Sequence, residues 1–194
     1  MTTFQDFAQS YLTELERAAR GLDLAQLERI IEVIERAYHE KKRIFVLGNG
    51  GSAMNASHFA ADLSKNTVKD FKDLEEKRFR ITALTDNVGK ITALANDLSF
   101  DDIFSEQLND LVEAGDLVII ISASGNSGNV IKAIEQAKRR GATTIGFLGF
   151  HTGGKAKSLV DYEITVQDNH YGRIEDIHSI IQHIIISYFT KLKP

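Results

Sequence analysis

The chain has 194 residues and contains no cysteine. This absence excludes disulfide bonds, thiolate nucleophiles and cysteine-ligated metal sites. A metal ion would have to be held by the six histidines and the carboxylates. The sequence also lacks an apolar run of the roughly 20 residues that a membrane-spanning helix needs. Charged residues such as Asp6 and Glu14 interrupt the first stretch, so we expect no signal peptide, no membrane partner and a cytoplasmic protein.

Basic residues are not in excess. The chain has 23 lysines and arginines against 27 acidic residues, a formal net charge of -4 at pH 7. Nucleic-acid-binding domains usually carry a basic patch or stripe, so no nucleic-acid partner is expected. Hydrophobic residues make up 43% of the chain, an ordinary globular composition. We expect a single domain over 1–194, with a helical pair over 1–41 and an α/β core over 42–194.

Apolar residues recur at helical spacing in two stretches before the first strand, 3–19 and 24–40. These helices are long for a monomer, and we expect them to pack against another subunit. Beyond them, short apolar runs alternate with helical patterns, which predicts a three-layer α/β/α fold with a parallel sheet covered on both faces. A polar segment over 66–78 is expected to form a surface loop near the first glycine turn. The predicted strands are 43–47, 79–84, 116–121, 143–148 and 161–166, and the predicted helices that follow the first strand are 52–65, 88–96, 101–113, 127–140 and about 172–191.

A glycine-rich turn, Gly48-Asn49-Gly50-Gly51-Ser52, follows the first strand and opens a helix. Glycines allow a tight turn and a close approach of the backbone to a ligand, and the free N–H groups of a helix N-terminus attract anions. Ser52 is placed to cap the helix or to donate to a phosphate. The spacing matches neither the dinucleotide fingerprint nor the P-loop. From these residues alone, a phosphate site and a plain glycine turn remain equally open.

A second polar turn, Ser122-Ala123-Ser124-Gly125-Asn126-Ser127, follows the third predicted strand and leads into another helix. Serine hydroxyls and backbone N–H groups at a helix N-terminus suit a phosphate, although a capped turn of no function has the same composition. Both turns lie at the carboxyl ends of strands, where open α/β sheets bind their ligands.

These two turns, together with His58-Phe59-Ala60-Ala61, Asn96-Asp97 and Arg173-Ile174-Glu175-Asp176-Ile177-His178, resemble the sugar isomerase (SIS) family. Within that family the ordered set is most similar to the phosphoheptose isomerases. The resemblance covers nearly the whole chain. It implies a flavodoxin-like sheet of five strands, and a homotetramer with active sites at its subunit interfaces. It also implies a bound zinc ion, and an aldose–ketose isomerisation of sedoheptulose 7-phosphate at the start of ADP-heptose synthesis.

The resemblance also implies roles for individual residues. The phosphosugar is expected to contact the first turn, the second turn, Asp97 and Glu175. Zinc is expected to bind to His58, Asp62, Glu175 and His183, and three of these residues (Asp62, Glu175 and His183) are expected to act in catalysis. The contacts expected within the two turns come from Asn49, Gly50, Gly51, Ser52, Ser122, Ala123, Ser124 and Ser127.

Spacing supports a paired arrangement of these ligands without proving it. His58 and Asp62 are four residues apart and share one helix face, and Glu175 and His183 are about two turns apart on the last helix. Nitrogen and oxygen ligands of this kind suit zinc, but a surface His–Asp pair has the same spacing.

Several positions depart from the family pattern. Asp62 stands where the family has glutamate, and Glu175 stands where it has glutamine. Ala123, Asn66 and Gly172 replace the common threonine, arginine and aspartate. These departures leave two alternatives open. One is a SIS-fold binding or regulatory protein resembling the DnaA-initiator-associating protein, and the other is an isomerase for another phosphosugar.

Overall fold

A computed structural model describes residues 3–192 and contains a sheet of five parallel strands. The order across the sheet is β2-β1-β3-β4-β5, the doubly wound flavodoxin-like order. All five predicted strands are confirmed within one residue at each end. The strands are β1 (Arg43–Gly48), β2 (Arg80–Ala83), β3 (Leu117–Ser122), β4 (Thr143–Leu148) and β5 (Tyr162–Thr165).

Helices cover both faces of the sheet because alternate residues of each strand point to opposite sides. The helices are α1 (Phe4–Arg20), α2 (Leu24–His39), α3 (Gly51–Asn66), α4 (Val88–Asp97), α5 (Ser105–Leu111), α6 (Gly128–Arg139) and α7 (Tyr171–Leu192). Ile44 and Val46 of β1 join the apolar cluster beneath α1, α2, α3 and α7, while Phe45 and Leu47 join the cluster beneath α4, α5 and α6. The predicted α/β/α layering is therefore confirmed. No helix within residues 3–192 is both long and apolar enough to cross a membrane.

The continuous helix predicted over 101–113 is wrong, because a 3-10 turn over Phe100–Asp102 precedes α5. The Asp102 carboxylate accepts hydrogen bonds from Lys132 Nζ at 2.7 Å and from Ser99 Oγ at 2.5 Å. Side-chain bonds of this local kind compete with the regular helical pattern. A second 3-10 turn, Lys155–Ser158, was not predicted.

The segment after α3 contains no helix or strand up to Arg80, as predicted, but its expected position near the first glycine turn is wrong. Tyr38 Oη donates to the Lys77 carbonyl at 3.1 Å, and Lys77 Nζ donates to the His39 carbonyl at 3.3 Å. The segment therefore packs on the C-terminal end of α2. Helix α3 carries the chain from the carboxyl edge of the sheet to its amino edge, which separates this segment from the turn.

Helix α1 is attached to the start of α7 by polar contacts and leaves an apolar face exposed. Tyr11 Oη donates to Asp176 Oδ2 at 2.7 Å. The side chains of Phe4, Phe7 and Leu12 are 82%, 62% and 57% exposed. Exposed apolar groups clustered in this way are typical of surfaces that contact another protein chain.

Candidate active site

A cleft of about 290 Å³ lies where β1 and β3 end, between the two polar turns predicted from the sequence. β1 and β3 are neighbours at the point where the strand order reverses, which is the usual ligand site of an open α/β sheet. Every residue predicted to contact the phosphosugar lines this cleft except Asp97. The lining residues are Asn49, Gly50, Gly51, Ser52, Ile121, Ser122, Ala123, Ser124, Ser127, Tyr171 and Glu175.

The first turn offers backbone donors to the cleft. Gly50 has φ 54° and ψ -125°, a conformation that residues with a Cβ rarely adopt, and it occupies the N-cap position of α3. No side chain caps this helix, so the predicted capping role of Ser52 is wrong. The first N–H groups of a helix have no acceptor within it, and they attract anions together with the helix dipole.

The second turn offers hydroxyl donors. Ser122 Oγ accepts from the Gly125 N–H at 3.0 Å, and Ser124 Oγ accepts from the Asn126 N–H at 3.3 Å. A hydroxyl that accepts a hydrogen bond still has its own hydrogen to donate. Ser127 is the N-cap residue of α6, and its side chain makes no capping bond. The three serines therefore surround a helix N-terminus with hydroxyl donors, an arrangement that suits a phosphate.

Glu175 reaches the cleft from the first turns of α7 and lies directly over Gly51. A Cβ placed on Gly51 would fall 2.6 Å from the Cδ of Glu175. The carboxylate thus occupies the space that a side chain at position 51 would need. It borders the start of α3 and the serine turn at once, in the cleft predicted to hold the phosphosugar.

The predicted metal ligands His58, Asp62 and His183 come together on α3 and α7. His58 Nε2 lies 3.2 Å from Asp62 Oδ2, and the rings of His58 and His183 are 5.1 Å apart. One ligand atom from each residue lies within 4.8 Å of the others. Aspartate therefore reaches this group despite being one methylene shorter than glutamate. Two imidazoles and a carboxylate form a ligand set that suits zinc.

Glu175 is not part of this group in a single chain. It lies eight residues before His183 on the same helix, and eight residues of α-helix span about 12 Å. The fourth zinc ligand therefore stays a prediction. Asp97 is also away from the cleft, because it is exposed at the end of α4, where its Oδ1 accepts from Asn96 at 2.8 Å.

A constant register between α3 and α7 sets these positions. Asn55 Oδ1 accepts from Ser179 Oγ at 2.8 Å, and Thr190 Oγ1 donates to the Asn66 carbonyl at 3.3 Å, each pair being 124 residues apart. The same separation relates Gly51 to Glu175. Both helices therefore run in the same direction, with the cleft at their N-terminal ends and the His–Asp group about two turns further along.

His178 fastens α7 to the sheet. It is fully buried, and its Nε2 donates to the Leu148 carbonyl at 3.1 Å. Burial lowers the pKa of His178 to about 4, so the ring is neutral at pH 7.

A salt bridge lies near the start of α7. The Arg173 guanidinium beside Asp168 holds the pKa of that carboxyl below its usual range.

Asn129 has a role at the cleft that its sequence context does not reveal. Its side-chain amide exchanges two hydrogen bonds with that of Asn49, at 2.8 Å and 2.9 Å, and so joins the two turns that flank the cleft. The only available signal was an amide in the first turn of a helix that follows a serine-rich loop, which does not identify a partner 80 residues away.

Comparison with known proteins agrees with this geometry. The SIS domain family model matches residues 4–149. The chain is 40% identical over 178 residues to a probable phosphoheptose isomerase of Thermoplasma acidophilum, covering 92% of this chain and 94% of that protein. It is 37% identical over 171 residues to the phosphoheptose isomerase of Clostridium acetobutylicum, covering 88% and 84% of the two chains. The structure of phosphoheptose isomerase from Neisseria gonorrhoeae superposes with a TM-score of 0.88 at 30% identity, covering 98% of this chain and all of that one.

Proposed function

This chain belongs to the SIS-domain family and, within it, to the phosphoheptose isomerases, and from that membership we propose that it converts sedoheptulose 7-phosphate to D-glycero-D-manno-heptose 7-phosphate for heptose synthesis. The observation that carries the proposal is the cleft in which three serine hydroxyls and two helix N-termini meet. We take 1–194 as one SIS domain. The family model stops at residue 149, but α7 supplies Glu175 and His183 to the site.

The serine turn holds the phosphate in this proposal. Ser122, Ser124 and Ser127 donate their hydroxyl hydrogens, and the first N–H groups of α6 add donors and a favourable dipole. The turn Gly50–Ser52, at the start of α3, faces the sugar from the other side of the cleft.

His58, Asp62 and His183 are the residues that would hold a zinc ion, with Glu175 as the fourth ligand. The side chains of His58 and Asp62 are 47% and 27% exposed, which leaves the group accessible to a ligand. Bound zinc would supply Lewis-acid polarisation of the carbonyl and hydroxyl oxygens of the sugar.

The isomerisation moves one proton between neighbouring carbons. A carboxylate takes a proton from C1 of the ketose, the electron pair forms the C1–C2 double bond, and the C2 oxygen is protonated. The same carboxylate then returns the proton to C2, the electron pair of the O1–H bond forms the aldehyde C=O, and the O1 proton goes back to the group that protonated the C2 oxygen. We assign the base to Asp62 and the acid at the oxygen to His183, because these two side chains lie together.

The proposal includes a homotetramer with active sites between subunits. Glu175 lies outside the His–Asp group of its own chain, Asp97 lies outside the cleft, and α1 leaves an apolar face uncovered. A neighbouring subunit would bring these parts together. The proposal keeps the cytoplasmic location and the absence of a nucleic-acid partner, consistent with the net charge of -4.

Turnover of sedoheptulose 7-phosphate by the purified protein tests the proposal. We expect the protein to consume the ketose. A chelator should abolish this activity, and added zinc should restore it. Binding of the phosphosugar without turnover would favour a regulatory SIS protein, an alternative that rests on the changed residues Asp62 and Glu175. Absence of both binding and turnover would point to another phosphosugar.

A further inference from the structure

The two turns that form the cleft are joined by one pair of side-chain amides. Asn49 Nδ2 donates to Asn129 Oδ1 at 2.8 Å, and Asn129 Nδ2 donates to Asn49 Oδ1 at 2.9 Å. Asn49 is the residue before Gly50 at the end of β1, and Asn129 is the second residue of α6. The bonds therefore run from the sugar side of the cleft to the helix that receives the phosphate.

The environment of this pair makes it difficult to replace. Asn129 is only 1% exposed, so its amide has little access to water. Removing one partner of a buried pair leaves the other polar group unsatisfied, which costs more than the net gain from a typical hydrogen bond. The oxygen of each amide is already bonded to the other amide. Each amide keeps a second N–H and a second oxygen lone pair, so Asn49 can line the cleft wall while it holds its partner.

We propose that Asn129 is a positioning residue and that the Asn49–Asn129 pair, here called the amide clasp, fixes the separation of the two turns. The inference rests on the proposed function, since a phosphosugar must reach both turns at once. Its phosphate is held at the serine turn while the remainder of the sugar meets the Gly50–Ser52 turn. A misplacement of about 1 Å between such elements can reduce turnover on the order of 100-fold.

Three variants and a control test the clasp: Asn129→Leu, Asn49→Leu, the double variant, and Asn109→Leu. Asn109 of α5 is exposed, and its Oδ1 accepts from Gln136 Nε2 of α6 at 3.1 Å and from Arg140 at 3.0 Å, so it is a side-chain amide that bonds to another element away from the cleft and serves as a control. Leucine is close to asparagine in size and has no polar atoms. The measurements are kcat and KM for sedoheptulose 7-phosphate, the Kd of inorganic phosphate, the melting temperature, and backbone hydrogen exchange.

We expect Asn129→Leu to lower kcat/KM by about 100-fold, mainly through kcat, while phosphate alone still binds at the serine turn. Hydrogen exchange should become faster in 48–53 as well as in 122–128, although the substitution lies far from 48–53 in sequence. The double variant should lose no more activity than either single variant, because the pair acts as a unit. Its melting temperature should recover, since both polar partners are gone. Asn109→Leu should behave as the wild type.

Recovery of kcat together with the melting temperature in the double variant would show a purely structural role and overturn the proposal. The proposal would also be overturned if the activity losses of the two single variants added up in the double variant. Faster hydrogen exchange confined to 122–128 would overturn it as well. If the wild type does not turn over the ketose, the proposed function fails, whereas the exchange experiment still decides whether the clasp joins the two turns.

Discussion

At the scale of single residues, the two carboxylates that depart from the family pattern occupy different surroundings. Asp62 lies against His58 in the His–Asp group, and Glu175 lies over Gly51 in the cleft. Both are close to groups that a phosphosugar would touch. Their separate positions allow their roles to be distinguished by substitution.

Asp62→Asn should lower kcat by about 10²–10⁴-fold, which is the usual contribution of a positioned base. The purified Asp62→Asn variant should also retain more bound zinc than His183→Ala. Glu175→Gln should have a mild effect, because glutamine keeps an oxygen that can contact the sugar or the metal. Steady-state kinetics and metal analysis of each purified variant measure these effects. Asp110→Asn, on the exposed ion pair with Lys90, is the control. An inactive Glu175→Gln beside an active Asp62→Asn would transfer the base to Glu175.

Ser124→Ala should weaken the binding of the phosphosugar and of inorganic phosphate. Losing one hydrogen bond to a charged group costs about 1.5–3 kcal/mol, or roughly 10- to 150-fold in Kd. Isothermal calorimetry measures both ligands. Ser158→Ala is a suitable control, since the Ser158 hydroxyl is exposed and donates to the Lys155 carbonyl at 3.0 Å. Unchanged affinity in Ser124→Ala would contradict the phosphate assignment.

Some site residues could be predicted because their chemistry shows in a short stretch of sequence. The serine turn combines hydroxyls, a glycine and a following helix, and the structure places all of its predicted residues in one cleft. Asn55 and Asn129 gave no such signal. Each acts through a partner, 124 residues away for Asn55 and 80 residues away for Asn129, and asparagine in an early helical turn has many structural roles.

At the scale of elements, α7 matters most for the site, because its docking sets where Glu175 and His183 lie. Asn55 and Ser179 fix it against α3, and His178 fixes it against the end of β4. The buried His178 is neutral in the folded protein, so protonation of this ring opposes the docking of α7.

Acid should therefore destabilise the fold through His178. Its pKa falls from 6.5 in the unfolded chain to about 4 in the folded protein. Between these two pH values the unfolded state binds more protons than the folded state. The contribution of His178 to the free energy of unfolding is therefore fully present above pH 6.5, and about 3 kcal/mol of it is lost as the pH falls toward 4. Urea unfolding at fixed protein concentration should show a flatter pH dependence in His178→Gln than in the wild type. The exposed His151→Gln serves as control, and an identical pH dependence in all three would contradict the prediction.

Elements with strong apolar patterns were predicted well, and elements fixed by side-chain bonds were not. β1, β3 and β4 are short apolar runs that are almost wholly buried, and the bounds of all five strands agree with the sequence within one residue. The helix predicted over 101–113 is interrupted because Ser99 and Lys132 both bond to Asp102. Such a bond to another helix leaves no periodic trace in the local sequence.

At the scale of the whole molecule, the residues predicted for the site do not all lie together within one chain. Glu175 is separate from the His–Asp group, and Asp97 is exposed on α4. The sequence predicted a set of residues that the structure gathers at the cleft and in the His–Asp group, but the arrangement of subunits depends on surface complementarity that a linear pattern does not contain. Their convergence is therefore best tested on the assembled oligomer.

Co-assembly of two inactive variants tests a site built from two subunits. We expect Glu175→Ala and His183→Ala to be inactive alone, and their mixture, refolded or co-expressed in equal amounts, to regain about a quarter of the wild-type activity. One site in four would then combine an intact Glu175 with an intact His183 from a neighbour. Light scattering should show a tetramer in each sample. A tetrameric mixture without activity would show that each site is contained in one chain.

The close approach of Glu175 to Gly51 has a consequence for genetics. Position 51 has no positive φ, so alanine there strains no backbone angle and only pushes the carboxylate of Glu175 aside. Gly51→Ala should therefore fold normally and share the phenotype of Glu175→Ala, although residue 175 is chemically intact. A suppressor screen starting from Gly51→Ala should recover shorter side chains at position 175, with aspartate as the first candidate.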